Sequence, residues 1–197
     1  MRSFASDNNS GVHPAIMEAL TRANQDHALG YGDDSWTKEA VRKIKEIFVA
    51  DCEPLFVFNG TGSNVIALQL LTRPYNSIIC AETAHVYVDE CGSPVKMTGC
   101  QIRPVATPDG KLTPELIAPY LHGFGDQHHS QPGAVYLSEC TELGTIYTPE
   151  ELRAITSLAH QHGMRVHMDG ARIANACAAL GLSLKALTVD CGIDVLS

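Results

Sequence analysis

The side chains with the clearest chemical potential lie in one short segment, Arg165–Arg172, which reads Arg-Val-His-Met-Asp-Gly-Ala-Arg. Its apolar residues predict a strand that ends at Asp169, and open α/β sheets bind ligands at the carboxyl ends of their strands. Gly170 permits a tight turn, and Arg172 begins the next helix. A buried carboxylate needs a cationic partner, whereas an arginine favours a planar carboxylate or phosphate. The same pattern is also typical of a turn with a surface salt bridge.

One ligand would satisfy both side chains if it carried a protonated ring nitrogen and a carboxylate. Pyridoxal phosphate (PLP) joined to an amino acid is such a ligand, because PLP enzymes hold the ring nitrogen with an acid. A phosphate site would then be required as well. The segment Phe56–Asn64, Phe-Val-Phe-Asn-Gly-Thr-Gly-Ser-Asn, predicts a strand, a glycine-rich turn and a helix N-terminus.

This turn has the features of a phosphate cradle. Gly60 and Gly62 permit close backbone approach, Thr61 offers a hydroxyl, and the amides of a helix N-terminus favour an anion. A dinucleotide fingerprint is the alternative, with Glu82 as the ribose-binding acid, although the third glycine of that pattern is missing here.

His85 follows the next predicted strand, Ser77 to Ala81. An imidazole in that position can lie over a flat ring, although a lone histidine is also common as a surface or packing residue. If the three strand ends converge, the phosphate lies at residues 60–64, the ring face at His85 and the ring nitrogen at Asp169.

The scaffold that would bring these residues together is an α/β fold with a mostly parallel sheet and crossover helices, because strands and helices alternate along the chain. A capping box is expected at Thr148 and Glu151. The predicted strands are 55–58, 78–81, 101–104, 134–137, 166–168 and 194–196, and the predicted helices include 14–24, 38–48, 65–71 and 149–162.

Composition excludes several kinds of partner. The 197 residues are 45% hydrophobic and 18% charged, as in ordinary globular proteins, and a net charge of −8 argues against nucleic acid or an anionic membrane as a partner.

The seven cysteines are scattered along the chain and contain no Cys-x-x-Cys pair, so we expect neither a disulfide framework nor a metal site. Residues 1–11 lack the apolar core of a signal peptide, and a cytoplasmic location is expected.

Taken together, the motifs resemble those of the low-specificity L-threonine aldolases, a family of fold-type-I PLP enzymes in the β-eliminating lyase group. The resemblance covers essentially the whole chain. It rests on Phe4–Gly11, Tyr31–Asp34, Phe58–Thr61, Glu82–His85, Asp89–Gly92, Lys111–Pro114, His167–Arg172 and Gly192–Leu196.

The resemblance implies roles for individual residues. Gly60, Thr61 and Gly62 would hold the phosphate, His85 would stack on the ring, and Asp169 would pair with its nitrogen. The substrate carboxylate would be bound by Arg172.

Three further residues are implied by the same resemblance. Ser6 would reach the substrate carboxylate, and Tyr31 would serve the site of a neighbouring subunit. His128, or the adjacent His129, would lie near the substrate hydroxyl.

The implied reaction is cleavage of L-threonine or L-allo-threonine, or another β-hydroxy-α-amino acid, to glycine and an aldehyde. The expected assembly is a homodimer or homotetramer acting on a small amino acid. The alternatives are another PLP-dependent lyase or a transaminating enzyme with the same pocket, or an inactive fragment.

The chain departs from the family pattern at two places. Ser138–Gly144 reads Ser-Glu-Cys-Thr-Glu-Leu-Gly, where many members have Glu-Asn-Thr-His-Asn. The family's Schiff-base lysine belongs a few residues beyond the strand that ends at Ser197. Residues 1–197 are therefore expected to comprise an N-terminal segment and most of the PLP-binding large domain, without the smaller C-terminal domain and inactive by themselves.

Overall fold

The computed structural model describes residue 3 and residues 5–197, so Phe4, which opens the first matched motif, lies outside the described residues. The chain forms two compact units, residues 1–46 and residues 47–197. In the first unit, α1 (Pro14–Ala23) is capped by the His13 side chain, and α2 (Ser35–Phe48) begins where Asp34 accepts a hydrogen bond from the Thr37 amide. Both predicted helices are confirmed, and α2 starts three residues earlier than expected.

The second unit is built on a five-stranded parallel sheet in the order β2-β1-β3-β4-β5. The predicted α/β class with a parallel sheet and crossover helices is therefore confirmed. The strands are β1 (Asn76–Ala81), β2 (Gln101–Val105), β3 (Gln131–Ser138), β4 (Arg165–Asp169) and β5 (Val195–Leu196). The helices are α3 (Gly60–Leu71), α4 (His85–Val88), α5 (Ser93–Thr98), α6 (Pro114–Ile117), α7 (Pro149–Gln161), α8 (Ile173–Leu180) and α9 (Leu184–Leu187).

Alternate strand residues separate two apolar layers, because successive side chains of a strand point to opposite faces. One layer packs Ile79, Val135 and Val166 with residues of α7, and the other packs Ile78 and Tyr136 with residues of α3. The predicted capping box fixes the start of α7, since Thr148 and Glu151 each accept a hydrogen bond from the other's amide.

The predicted strand Leu55–Phe58 is wrong. This segment is irregular, and Leu55, Phe56 and Phe58 are exposed. Its β-branched and aromatic residues favour extended backbone, but a strand requires a neighbour to complete its hydrogen bonds. Within the described part of the chain, no strand pairs with it.

The carboxyl ends of the strands meet at one edge of the sheet. The register pairs Ala81 with Val105, and Ser138 with Asp169. At this edge β5 passes close to the turn after β4, where a Cβ on Gly170 would lie 2.6 Å from Leu196 Cδ1. The Cβ would also lie 3.1 Å from the Ser197 carbonyl oxygen, so a larger residue would force the Leu196 side chain and the backbone after β5 to shift, and glycine is favoured here.

No single helix in the described ranges is long and apolar enough to cross a bilayer. The bent pair Ile173–Leu180 and Leu184–Cys191 meets the length and composition requirement only when taken together, with a bend of 105°.

Asp194 anchors the start of β5, and its removal should weaken the fold. Its carboxylate accepts hydrogen bonds from the Val166 amide at 2.8 Å, the His160 ring at 2.8 Å and Arg165 at 2.9 Å. We expect Asp194→Ala to lower the free energy of unfolding by about 1–3 kcal/mol, because a part-buried amide loses its acceptor. Urea denaturation measures the change.

The matched control is Asp190→Ala, which removes an exposed ion pair with Lys185. A loss of about 0–1 kcal/mol is expected there. Equal losses in the two variants would contradict the anchoring role of Asp194.

Candidate active site

Asp169 lies at the end of β4, at the edge where the strands terminate. Its Oδ2 accepts hydrogen bonds from the Tyr136 hydroxyl at 2.7 Å and from Asn64 Nδ2 at 3.0 Å, and its Oδ1 accepts one from the Ala171 amide at 3.0 Å. Burial by itself would raise the pKa of Asp169, but these donors outweigh it and hold the pKa below its usual value. The carboxylate is therefore ionised at neutral pH.

Asn64 connects this carboxylate to a second one. It lies in the first turns of α3 and is 1% exposed, and its Nδ2 also donates to Glu90 Oε1 at 2.6 Å. Its Oδ1 accepts from the Ser197 hydroxyl at 2.7 Å. One amide therefore holds α3 against the end of β4 and against the segment that follows α4.

His85 is held at two points. Its Nδ1 lies 2.8 Å from Glu90 Oε1, and its backbone amide donates to Glu142 Oε1 at 2.9 Å. Glu142 also accepts from the Ser138 hydroxyl at 2.6 Å. The segment that departs from the family pattern thus supplies the carboxylate that fixes the first residue of α4.

A neutral histidine completes the network beneath the site. His167 is fully buried, its ring is in edge contact with Tyr136, and its Nε2 lies 3.1 Å from Ser197 Oγ. Because the Ser197 hydroxyl donates to Asn64, His167 Nε2 must carry the proton that it shares with Ser197. Burial lowers the pKa of His167 to about 4, an effect that the nearby charge of Asp169 only partly offsets.

The N-terminus of α3 begins one turn before Asn64. Asn59 caps it by accepting from the Gly62 amide at 2.8 Å, so Gly62 is less available to a ligand than its two predecessors. The first amides of a helix have no intrahelical acceptor, and among the described residues no capping partner binds those of Gly60 and Thr61. A Cβ on Gly60 would meet open space. These two amides can bind an anion.

Arg172 lies three residues beyond Asp169, at the position that precedes α8. Within the described part of the chain, its guanidinium forms no ion pair or hydrogen bond. A half-buried arginine without a protein carboxylate can bind one from a ligand.

His128 is not brought to this site within the chain. It lies three residues before β3, at the amino edge of the sheet, where His128 and His129 are exposed and their loop is held by Asp126. Strand β3 has eight residues, which separates this loop from the Asp169 edge by about 25 Å. The geometry therefore contradicts the predicted role of His128 within a single copy.

Ser6 and Tyr31 belong to the first unit, which is described by itself. Tyr31 is fully exposed, and its φ of 63° lies in the left-handed region. The roles expected for both residues stay predictions.

The lysines of the second unit do not enter the Asp169 network. Lys111 binds Glu151 and the Ile146 carbonyl and lies over the Tyr147 ring, and Lys185 pairs with Asp190. Lys96 is exposed on α5.

A metal ion is the other group that this cluster could bind. Ligand atoms of His85, Glu90 and Asp169 lie within 4.8 Å of one another. However, the amide hydrogens of Asn64 point at both carboxylates, and a donor between two acceptors repels a cation. The arrangement therefore favours a ligand that approaches Asp169 alone from the open side.

Four residues of the site were missed by the sequence reasoning: Asn64, Glu90, Tyr136 and Glu142. Asn64 gave a signal, because it is a polar residue directly before the apolar run of α3. Glu90 lies inside a motif that carries the resemblance but had no role assigned to it, and Tyr136 gave no signal. Their contacts with Asn64 join residues 26 and 72 positions apart along the chain.

Comparisons with known proteins bear on the family and the fold. Residues 3–197 match the family described as "Beta-eliminating lyase". The low specificity L-threonine aldolase of Pseudomonas aeruginosa is 45% identical over 196 residues, which are 99% of this chain and 57% of that protein. This chain therefore spans little more than half the length of that relative.

Solved structures show the same fold. A threonine aldolase from Leishmania major superposes with a TM-score of 0.88 at 33% identity, over 95% of this chain and 55% of that one. An aspartate aminotransferase from Thermus thermophilus, at 18% identity, has a TM-score of 0.59 over 79% of this chain and 40% of its own, and shows the fold alone. These findings favour the PLP-enzyme fold over the dinucleotide alternative.

Replacing Asn64 by leucine should destabilise the protein, because two buried carboxylates lose their shared donor. We expect Asn64→Leu to lower the free energy of unfolding at neutral pH by about 2–3 kcal/mol, measured by urea denaturation. Ser63→Ala is the control, since it changes the neighbouring residue outside the network, and it should cost far less. An unchanged stability in Asn64→Leu would refute the bridging role.

The buried His167 predicts a loss of stability in acid. Below pH 6.5 the unfolded chain binds a proton at His167, whereas the folded chain excludes it until about pH 4. The unfolded state therefore binds more protons in this window, and stability falls as the pH falls. His167→Gln, which can still donate to Ser197, should remove this penalty.

The measurement is the difference in unfolding free energy between the original protein and His167→Gln. Moving from pH 7 to about pH 4 should shift this difference by up to about 3 kcal/mol in favour of the variant. A difference that is independent of pH would show that His167 titrates normally.

Proposed function

Because this chain belongs to the β-eliminating lyase family, we propose that the whole protein is a PLP-dependent aldolase. It would cleave L-threonine and L-allo-threonine, and related β-hydroxy-α-amino acids, to glycine and an aldehyde. The observation that carries the proposal is the Asp169 carboxylate, which three donors keep ionised beside the N-terminus of α3. A carboxylate in that state is what a protonated ring nitrogen requires.

The residues present fit PLP in their chemistry. Asp169 offers an acceptor for the ring N–H, and the free amides of Gly60 and Thr61 offer donors for the phosphate, with open space at Gly60. Asn64 joins these two subsites, since it belongs to α3 and binds Asp169. His85 adds a ring, 39% exposed, that can stack on the cofactor.

When bound, PLP supplies an electron sink for the pair left on Cα. Asp169 preserves that capacity because its charge keeps the ring nitrogen protonated. The guanidinium of Arg172 binds the substrate carboxylate in a bidentate manner and so orients the Cα–Cβ bond.

Bond cleavage also requires that the β-hydroxyl lose its proton. His85 is the residue of this chain that we assign to that step, since His128 lies at the other edge of the sheet. As the proton leaves the hydroxyl oxygen, the Cα–Cβ bond breaks and the oxygen becomes the carbonyl of the released aldehyde. Acetaldehyde is the product from threonine.

Assembly and location are further parts of this proposal. A homodimer or homotetramer would allow Tyr31 to serve a neighbouring site. A reducing cytoplasm is supported by the cysteines, because all seven are free and those at the core are buried.

The test is acetaldehyde release from L-threonine by protein purified from its natural source with added PLP. Asp169→Ala should lower kcat at least about 10²-fold, because the ring nitrogen loses its ionised partner. Asp190→Ala, an exposed change, should leave kcat unaltered. Formation of an oxo acid instead of acetaldehyde would identify a transaminating enzyme, and full activity of Asp169→Ala would refute the assigned role.

A further inference from the structure

Glu90 is a buried acid that the mechanism above does not use. It is 3% exposed, and its Oε1 lies 2.6 Å from Asn64 Nδ2 and 2.8 Å from His85 Nδ1. Its Oε2 is buried and has no partner among the described residues. Burying a polar atom without a hydrogen bond costs free energy. A function for this carboxyl group would explain why the fold accepts that cost.

The contacts of Oε1 determine the tautomer of His85. Asn64 Nδ2 can only donate, and a separation of 2.6 Å indicates a strong acceptor. Oε1 is therefore the unprotonated oxygen of Glu90 whether or not the group is ionised, since a carboxyl proton would lie on Oε2. An unprotonated oxygen has no hydrogen to give, so His85 Nδ1 must donate the bond between them.

We infer that Glu90 is a positioning residue that holds His85 in the Nδ1–H tautomer and leaves Nε2 as the nitrogen with a free lone pair. The catalytic consequence rests on the proposed function. Only an unprotonated nitrogen can accept the β-hydroxyl proton, so Glu90 selects Nε2 for that step.

The ring is also fixed in orientation. Turning the imidazole over would replace Nδ1 by a carbon and break its bond to Glu90. The backbone of His85 is held independently by Glu142, at 2.9 Å from the amide nitrogen. Two carboxylates on different segments therefore fix the histidine, one through its main chain and one through its ring.

Asn64 connects the Glu90–His85 pair to Asp169 in the proposed cofactor site. Its amide has two hydrogens, and its nearest acceptors are Glu90 and Asp169. The group that keeps Asp169 ionised thus also orients the acceptor that sets the His85 tautomer.

The tautomer can be measured without substrate or cofactor. Long-range ¹H–¹⁵N correlation spectra of the whole protein, labelled at histidine, report which ring nitrogen carries the proton, and His85→Asn identifies the His85 signals. We expect Nδ1–H in the original protein and in Glu90→Gln, whose amide oxygen must face Asn64 and still accept from His85. We expect this preference to be lost in Glu90→Met, which has no acceptor.

Kinetics test the consequence. Glu90→Met should lower kcat for threonine by about 10²- to 10⁴-fold, as for a base in the wrong tautomer, with KM changed less than about threefold. Glu90→Gln should retain kcat within about fivefold, which a purely electrostatic role would not allow. Glu150→Gln, on the exposed face of α7, is the control and should behave like the original protein.

The outcomes separate the two proposals. Nε2–H in the original protein, or Nδ1–H that persists in Glu90→Met, would overturn the role of Glu90. If Glu90→Met does not fold, the spectra of the original protein and Glu90→Gln decide, because Nε2–H in either contradicts the inference. If the original protein releases no acetaldehyde, the proposed function fails while the spectra still test the tautomer.

Discussion

The Asn64 carboxamide is the interaction on which the site depends, because it donates to two buried carboxylates at once. Without it, Glu90 and Asp169 would face each other within a few ångströms with no donor between them. Two carboxyl oxygens that face each other in a medium of low polarity repel each other, because both carry partial or full negative charge. The amide resolves this conflict, and in doing so it fixes the distance of α3 and of the segment after α4 from the end of β4.

The shared use of the Asn64 amide also explains why the charge of Asp169 is not balanced by the groups beneath it. Beneath Asp169 the neighbouring groups are neutral: the hydroxyl of Tyr136 and the amide of Asn64 donate to it, and the ring of buried His167 nearby carries no charge. Among the residues that the structure describes, no cationic side chain pairs with this carboxylate. Its charge is therefore available to a ligand that arrives from the open edge, next to the free amides of α3 and near the unpaired Arg172 in sequence.

Local signals predicted most of the scaffold. Strands β1 to β5 and the capping box of α7 could be predicted because their signals are local. The strands show as apolar runs, and the capping box shows as two residues at a three-residue spacing. The strand predicted at Leu55–Phe58 is absent from the structure for the opposite reason. Its composition is that of a strand, but strand formation depends on a partner that local sequence does not supply.

The sequence by itself determined the fold class and the ends of β1 to β5, and it located Asp169 and His85, because strand ends of a parallel sheet must share an edge. The turn at Gly60 was located by its glycines and the helix start that follows them, since no strand precedes it in the described part of the chain. Only the tertiary structure decided which polar residues complete the site. Asn64, Glu90 and Tyr136 act through bonds between distant segments, and the direction of β3 keeps His128 away from the site of its own copy. Long-range contacts of this kind leave no periodic trace in a single sequence, so they become visible only when the chain is folded.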